Sequence, residues 1–104
     1  MASDRMLRDT LREFLQFLKL NQNASPHTVR AYDTDLTQFL DHTAGMLELK
    51  PSQVPVRALD GDTVRSFLDE LHARGNSRAS AARRLAALRT FSRYLVRESL
   101  LPDD

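Results

Sequence analysis

Four stretches of this chain place apolar residues at helical intervals, and no stretch keeps an apolar–polar alternation long enough to specify a strand. The periodicity restricts the chain to an all-α fold. A first helix is expected from about Asp4 to Leu20, with Leu7, Leu11, Phe14, Leu15 and Leu18 along one face, ended by the segment from Asn21 to Ala24. Ser25 is placed to cap a second helix that opens on Pro26, where a missing N–H costs nothing. That helix buries Val29, Tyr32, Leu36, Phe39 and Leu40 and is expected to stop at Gly45. Residues 46–60 contain Pro51 and Pro55 and read as an irregular connection, from which Leu47, Leu49, Val54 and Leu59 cover the edge of the core. Asp60 caps a third helix with Val64, Phe67, Leu68 and Leu71 inward and Gly75 as its left-handed terminus. Ser77 caps a fourth, which runs to about Glu98 with Ala81, Leu85, Leu88, Phe91 and Leu95 inward, before Leu100-Leu101-Pro102.

A length of 104 residues gives one domain, residues 1–104, with room for one small core. The absence of cysteine removes disulfides and thiolate chemistry, and His27, His42 and His72 lack metal-ligand spacing, so neither a metal nor a cofactor is expected. Apolar runs of only a few residues exclude a membrane span, and the N-terminus offers no signal-peptide core. These features fit a cytoplasmic protein without a membrane partner.

The net charge of +1 hides an asymmetry. Residues 1–70 hold eight Lys/Arg against eleven Asp/Glu, whereas Leu71 to Arg97 carry Arg74, Arg78, Arg83, Arg84, Arg89, Arg93 and Arg97 and no acid. At about 100° per residue, the inward residues of the fourth helix cluster within roughly 120°, with Arg78, Arg83, Arg89, Arg93 and Arg97 opposite. Arg84 falls inside the apolar sector, where it is expected to snorkel along the core edge or pair with an acid of another helix. Charged outer faces are ordinarily just solvated, but they usually mix signs at i,i+4; Arg89, Arg93 and Arg97 repel at that spacing. Repulsion tolerated in the free protein points to a polyanionic partner.

The second helix adds a smaller patch, since Ser25, His27, Thr28 and Arg30 crowd its first turns beside Thr34 and Gln38. Plain capping accounts for Ser25. A helix N-terminus with free N–H groups and hydroxyls also suits a phosphate.

The run Ser25-Pro26-His27-Thr28-Val29-Arg30-Ala31-Tyr32-Asp33-Thr34-Asp35-Leu36 matches an S-x-x-T-x-x-x-Y-x-x-D-L pattern, and Arg83-Arg84-Leu85-Ala86-Ala87-Leu88-Arg89-Thr90-Phe91-Ser92-Arg93-Tyr94-Leu95 looks like R-L-S-A-L-R-x-F-x-x-Y-L, with Ala86 in place of the serine. In this order, after an apolar helix around Leu11-Arg12-Glu13-Phe14-Leu15, the two motifs resemble the N-terminal core-binding, SAM-like domain of tyrosine recombinases and phage integrases, in particular the Xer group. The resemblance implies a four-helix bundle whose second and fourth helices enter adjacent major-groove surfaces of double-stranded DNA, forming half of a C-shaped clamp on one recombination half-site. Other recombinase subunits would be further partners. The DNA-contacting set it suggests is Ser25, His27, Thr28, Arg30, Thr34, Arg78, Ser80, Arg83, Arg89 and Arg93.

Catalysis in that family belongs to a second domain bearing Arg, Lys, His-x-x-Arg, a further His or Trp and a nucleophilic Tyr, which this chain is expected to lack. His27 and Arg30 fit His-x-x-Arg in form only, within the capped helix, and Tyr32 and Tyr94 lie on or beside apolar stripes as core tyrosines. The reading is therefore a DNA-binding domain without catalysis of its own, whose parent cuts and rejoins DNA. A helical protein-interaction module with a basic face is the alternative; a self-contained enzyme lacks paired carboxylates, a Ser/His/Asp set or a phosphate loop.

Overall fold

The computed structural model describes residues 5–102. Among these, four helices carry the chain: α1 (Leu7–Leu20), α2 (Pro26–Leu47), α3 (Gly61–Ala73) and α4 (Arg78–Arg97), with two single 3₁₀ turns, Pro51–Gln53 and Val56–Ala58, between α2 and α3. The fold is all-α, as the periodicity requires. None of the described helices is long and apolar enough to cross a membrane.

Three helix starts follow from one hydroxyl or carboxylate each. Ser25 Oγ accepts from the Thr28 N–H at 3.1 Å and Ser77 Oγ from the Ser80 N–H at 3.1 Å. Asp60 and Thr63 form a reciprocal box, the Thr63 N–H donating to Asp60 Oδ1 at 2.9 Å and the Asp60 N–H to Thr63 Oγ1 at 3.1 Å. The start of α1 differs from expectation. Asp4 lies outside the described residues, and α1 begins at Leu7 because the preceding backbone is extended and pairs with the connection: the Leu7 N–H donates to the Val54 carbonyl at 2.8 Å and the Val56 N–H to that of Arg5 at 2.9 Å.

Gly45 does not end α2. The helix continues to Leu47 and closes on Glu48, which takes the left-handed conformation at φ 57°, while the Leu49 N–H reaches the Ala44 carbonyl at 2.9 Å. Gly75, at φ 83°, does end α3, with the Asn76 N–H on the Leu71 carbonyl at 3.0 Å. Gly45 thus sits in a helix interior, where glycine is unfavourable by about 0.5–1 kcal/mol relative to alanine, and a Cβ there would meet nothing within 4 Å. Gly45→Ala is expected to stabilise the domain by that amount, read as a higher denaturation midpoint at unchanged slope.

One core joins all four helices. Leu7, Leu11, Phe14 and Leu18 of α1 meet Leu36, Phe39, Leu40 and Ala44 of α2, Phe67 and Leu71 of α3, and Ala87, Leu88, Phe91 and Leu95 of α4. Phe14 lies at its centre, with ring centroids 5.1 Å from Phe91, 5.2 Å from Tyr94 and 5.6 Å from Tyr32. The connection contributes Val54, Val56 and Leu59, all buried, whereas Leu47 and Leu49 are exposed, against expectation. They flank Glu48, whose left-handed backbone ends α2.

Candidate nucleic-acid interface

The arginine-rich helix α4 packs through Ala87, Leu88, Phe91 and Leu95, with Ala81 and Leu85 half-buried. Its arginines separate into two groups. Arg78, Arg89 and Arg93 are exposed and have no carboxylate partner among the described residues. The others are engaged. Arg97 lies 4.5 Å above the Phe17 ring and 3.9 Å from Glu98, and Arg74, just beyond α3, donates to Glu70 at 2.9 Å.

Arg83 and Arg84 turn toward α2 and meet on one acid. Asp35, only 4 % exposed in its side chain, accepts from Arg83 Nε at 3.1 Å through Oδ2 and from Arg83 Nη2 at 2.9 Å through Oδ1. Arg84 Nε stands 3.9 Å from Oδ1 and donates to Gln38 Oε1 at 2.7 Å, while its Nη1 donates to the Ser80 carbonyl at 3.3 Å and to the Ser80 hydroxyl. Both expectations for Arg84 are met together: it runs along the core edge, 11 % exposed, and faces an acid of another helix. Arg83 remains 60 % exposed. This seam fixes α4 against the middle of α2, because an acid buried there would be costly without its cations.

On α2, Ser25, His27, Thr28, Arg30 and Thr34 are all exposed. Ser25 and Thr28 satisfy each other, the Ser25 hydroxyl donating to Thr28 Oγ1 at 3.0 Å as well as capping the helix. Arg30, like His27, has no carboxylate partner among the described residues. By helical register, His27, Thr34 and Gln38 share the strip of α2 that borders the seam, so α2's polar face and α4's N-terminal half are neighbours. Of the ten residues singled out in the sequence, Ser25 caps α2 and Thr28 accepts from its hydroxyl, Ser80 holds Arg84, Arg83 is partly committed to Asp35, and the other six project into solvent.

Sequence reasoning overlooked Asp35. It lies between Thr34 and Leu36, at the margin of α2's apolar stripe, and an acid in such a place calls for a cation from a neighbouring helix. Arg84, inside α4's apolar sector and expected to pair with an acid of another helix, was the available signal.

Tyr32 and Tyr94 pack on Phe14 as core tyrosines. Burial, together with the carboxylates of Glu98 and Glu13, pushes the Tyr94 phenol above its ordinary value of 10.0, opposite in direction to an activated nucleophile.

Residues 11–99 match the family described as phage integrase, N-terminal SAM-like domain. The chain is 39 % identical over 88 residues to the tyrosine recombinase XerC of Pelotomaculum thermopropionicum, an alignment covering 85 % of this chain and 29 % of the relative. It is 40 % identical over 94 residues to XerC of Methylobacterium nodulans (88 % and 28 %) and 30 % identical over 98 residues to XerD of Halalkalibacterium halodurans (94 % and 31 %). The chain therefore spans about three tenths of the length of these curated relatives. No solved structure matches it significantly. With four helices around one core, and a family match running from within α1 to just past the end of α4, the chain belongs to the N-terminal SAM-like domain family of phage integrases.

Proposed function

We propose that this chain is the DNA-contacting, core-binding module of a site-specific tyrosine recombinase, laying the start of α2 and the outer face of α4 against adjacent surfaces of a duplex. The observation that carries this reading is the acid-free outer face of α4, where Arg78, Arg89 and Arg93 stand exposed, without a carboxylate partner among the described residues, beside the polar strip of α2. Exposed guanidiniums on one face suit an array of phosphates, and the exposed first turns of α2, with Arg30 and the Thr28 hydroxyl, suit one more. The relatives' names, tyrosine recombinases XerC and XerD, support DNA as the polyanion, and other recombinase subunits would be the further partners. On this reading residues 1–104 form one unit, half of a clamp on one half-site, and strand cutting and rejoining belong to a separate catalytic part of the enzyme.

An anisotropy titration of duplexes of increasing length tests the proposal. Half a clamp neutralises few phosphates, so binding in the non-specific range, at about 10⁻⁴–10⁻⁶ M, is expected at moderate salt, tightening as salt falls. A folded chain that bound no duplex at low salt would instead favour the helical protein-interaction reading.

Capping and DNA contact make different demands on the start of α2. Ser25→Ala is expected to lower stability by about 1 kcal/mol through the lost cap. The double change Thr28→Ala, Arg30→Ala is expected to leave melting nearly unaltered and to weaken duplex binding. Early melting with undiminished binding would reduce α2 to scaffold.

A further inference from the structure

Of the two guanidiniums that meet on Asp35, Arg84 is nearly buried and its donors are directed to Gln38 and Ser80, so it already supplies a structural clamp between α2 and α4. Arg83 makes the closer contact with the carboxylate yet stays 60 % exposed. Its fork is used on one edge only. A guanidinium carries five N–H donors in a fixed plane, and Asp35 takes one from Nε and one from Nη2. Three remain, two on Nη1 and one on Nη2, and the outward pair along the end of the fork has the spacing of two adjacent acceptors.

We infer that Arg83 is a specificity-determining residue of the proposed duplex-binding face, a guanine reader held in orientation by Asp35 as its positioning residue. Guanine is the base that offers two adjacent major-groove acceptors, O6 and N7, and a bidentate arginine is their usual partner. Most exposed arginines lose rotamer freedom on making such a contact; Asp35 has already fixed this one. The same acid subtracts from the local positive potential, so it weakens indiscriminate phosphate attraction at the point where a base is read. Arg78, Arg89 and Arg93, with no acid partner among the described residues, retain the freedom that suits phosphates.

This inference rests on the DNA-binding reading, and the experiment separates the two. The chain and its Arg83→Lys and Asp35→Asn variants are passed through selection on a randomised duplex pool, and each is titrated with salt on an unselected duplex. Arg83→Lys keeps the charge but not the fork: an unchanged salt slope is expected, with discrimination for one guanine lost by about 5- to 150-fold. Asp35→Asn is expected to lose the same discrimination and to steepen the salt slope by about one unit, as the released guanidinium joins the phosphate contacts. Arg84 keeps its bonds to Gln38 and Ser80 in Arg83→Lys, so a native circular-dichroism spectrum is expected there even if Asp35→Asn unfolds. If natively folded Arg83→Lys retained the parent's base preferences, the inference would be wrong while DNA binding stood. If the parent bound no duplex at all, both would fall.

Discussion

Phe14→Ala is expected to cost about 3–5 kcal/mol of folding free energy, a large share of the roughly 5–15 kcal/mol available to a domain of this size. The ring is 1 % exposed and is surrounded by Tyr32, Phe91 and Tyr94, so its removal opens a cavity between α1, α2 and α4 and breaks three ring contacts. Aromatic pairs contribute about 0.5–1.5 kcal/mol each beyond area burial, which puts this site at the upper end of the range. Urea denaturation followed by circular dichroism measures it. A loss below about 1 kcal/mol would mean that Tyr94 or Phe91 collapses into the space and that the core is not centred on Phe14.

The position of Phe14 was legible because it repeats with Leu7, Leu11 and Leu18 at helical spacing, and the starts of α2, α3 and α4 were legible because Ser25, Asp60 and Ser77 are capping residues just ahead of apolar periods. Helix ends were harder to read. Gly75 adopts the conformation that favours glycine, but Glu48 and Ser99 adopt it without being glycine, at φ 57° and 61°, held by bonds that reach back to Ala44 and Leu95 through the following N–H groups. Tertiary packing decides such ends: Thr43 and Ala44 are buried, so α2 continues past the weak point at Gly45. Val56 was missed for a related reason. Its burial depends on the pairing of residues 54–56 with the segment before α1, a contact between distant parts of the chain that periodicity does not carry.

The site was partly legible. The cationic face of α4 followed from register alone, and its exposed members Arg78, Arg89 and Arg93 lie where the register puts them. Register could not tell which arginines are free. Arg83 and Arg97 belong to the same helix, yet one is drawn to Asp35 and the other to Phe17 and Glu98, and these partners come from α1, α2 and the residue after α4.

That division yields the second large effect. Arg78→Ala, Arg89→Ala, Arg93→Ala in one chain is expected to flatten the slope of log K against log salt by about three units, one for each lost phosphate contact, with stability nearly unchanged because all three side chains are exposed. The matched control removes three arginines that the fold has already paired, Arg5 with Glu13, Arg65 with Asp62 and Arg74 with Glu70. Both variants lose the same formal charge, so the control should move the slope by less than one unit. Equal changes would indicate diffuse attraction spread over the whole surface, without a defined face.

Mapping amide chemical-shift changes as a short duplex is titrated into the isotopically labelled chain decides whether α2 and α4 together form a duplex-binding face. The largest changes are expected from Ser25 to Thr34 and along α4 from Arg78 to Arg93, converging on the seam where Asp35 holds Arg83, with α1 and the Pro51–Ala58 connection little affected. Changes concentrated on α1 or α3, or none under conditions where binding is independently detected, would contradict a face formed by α2 and α4.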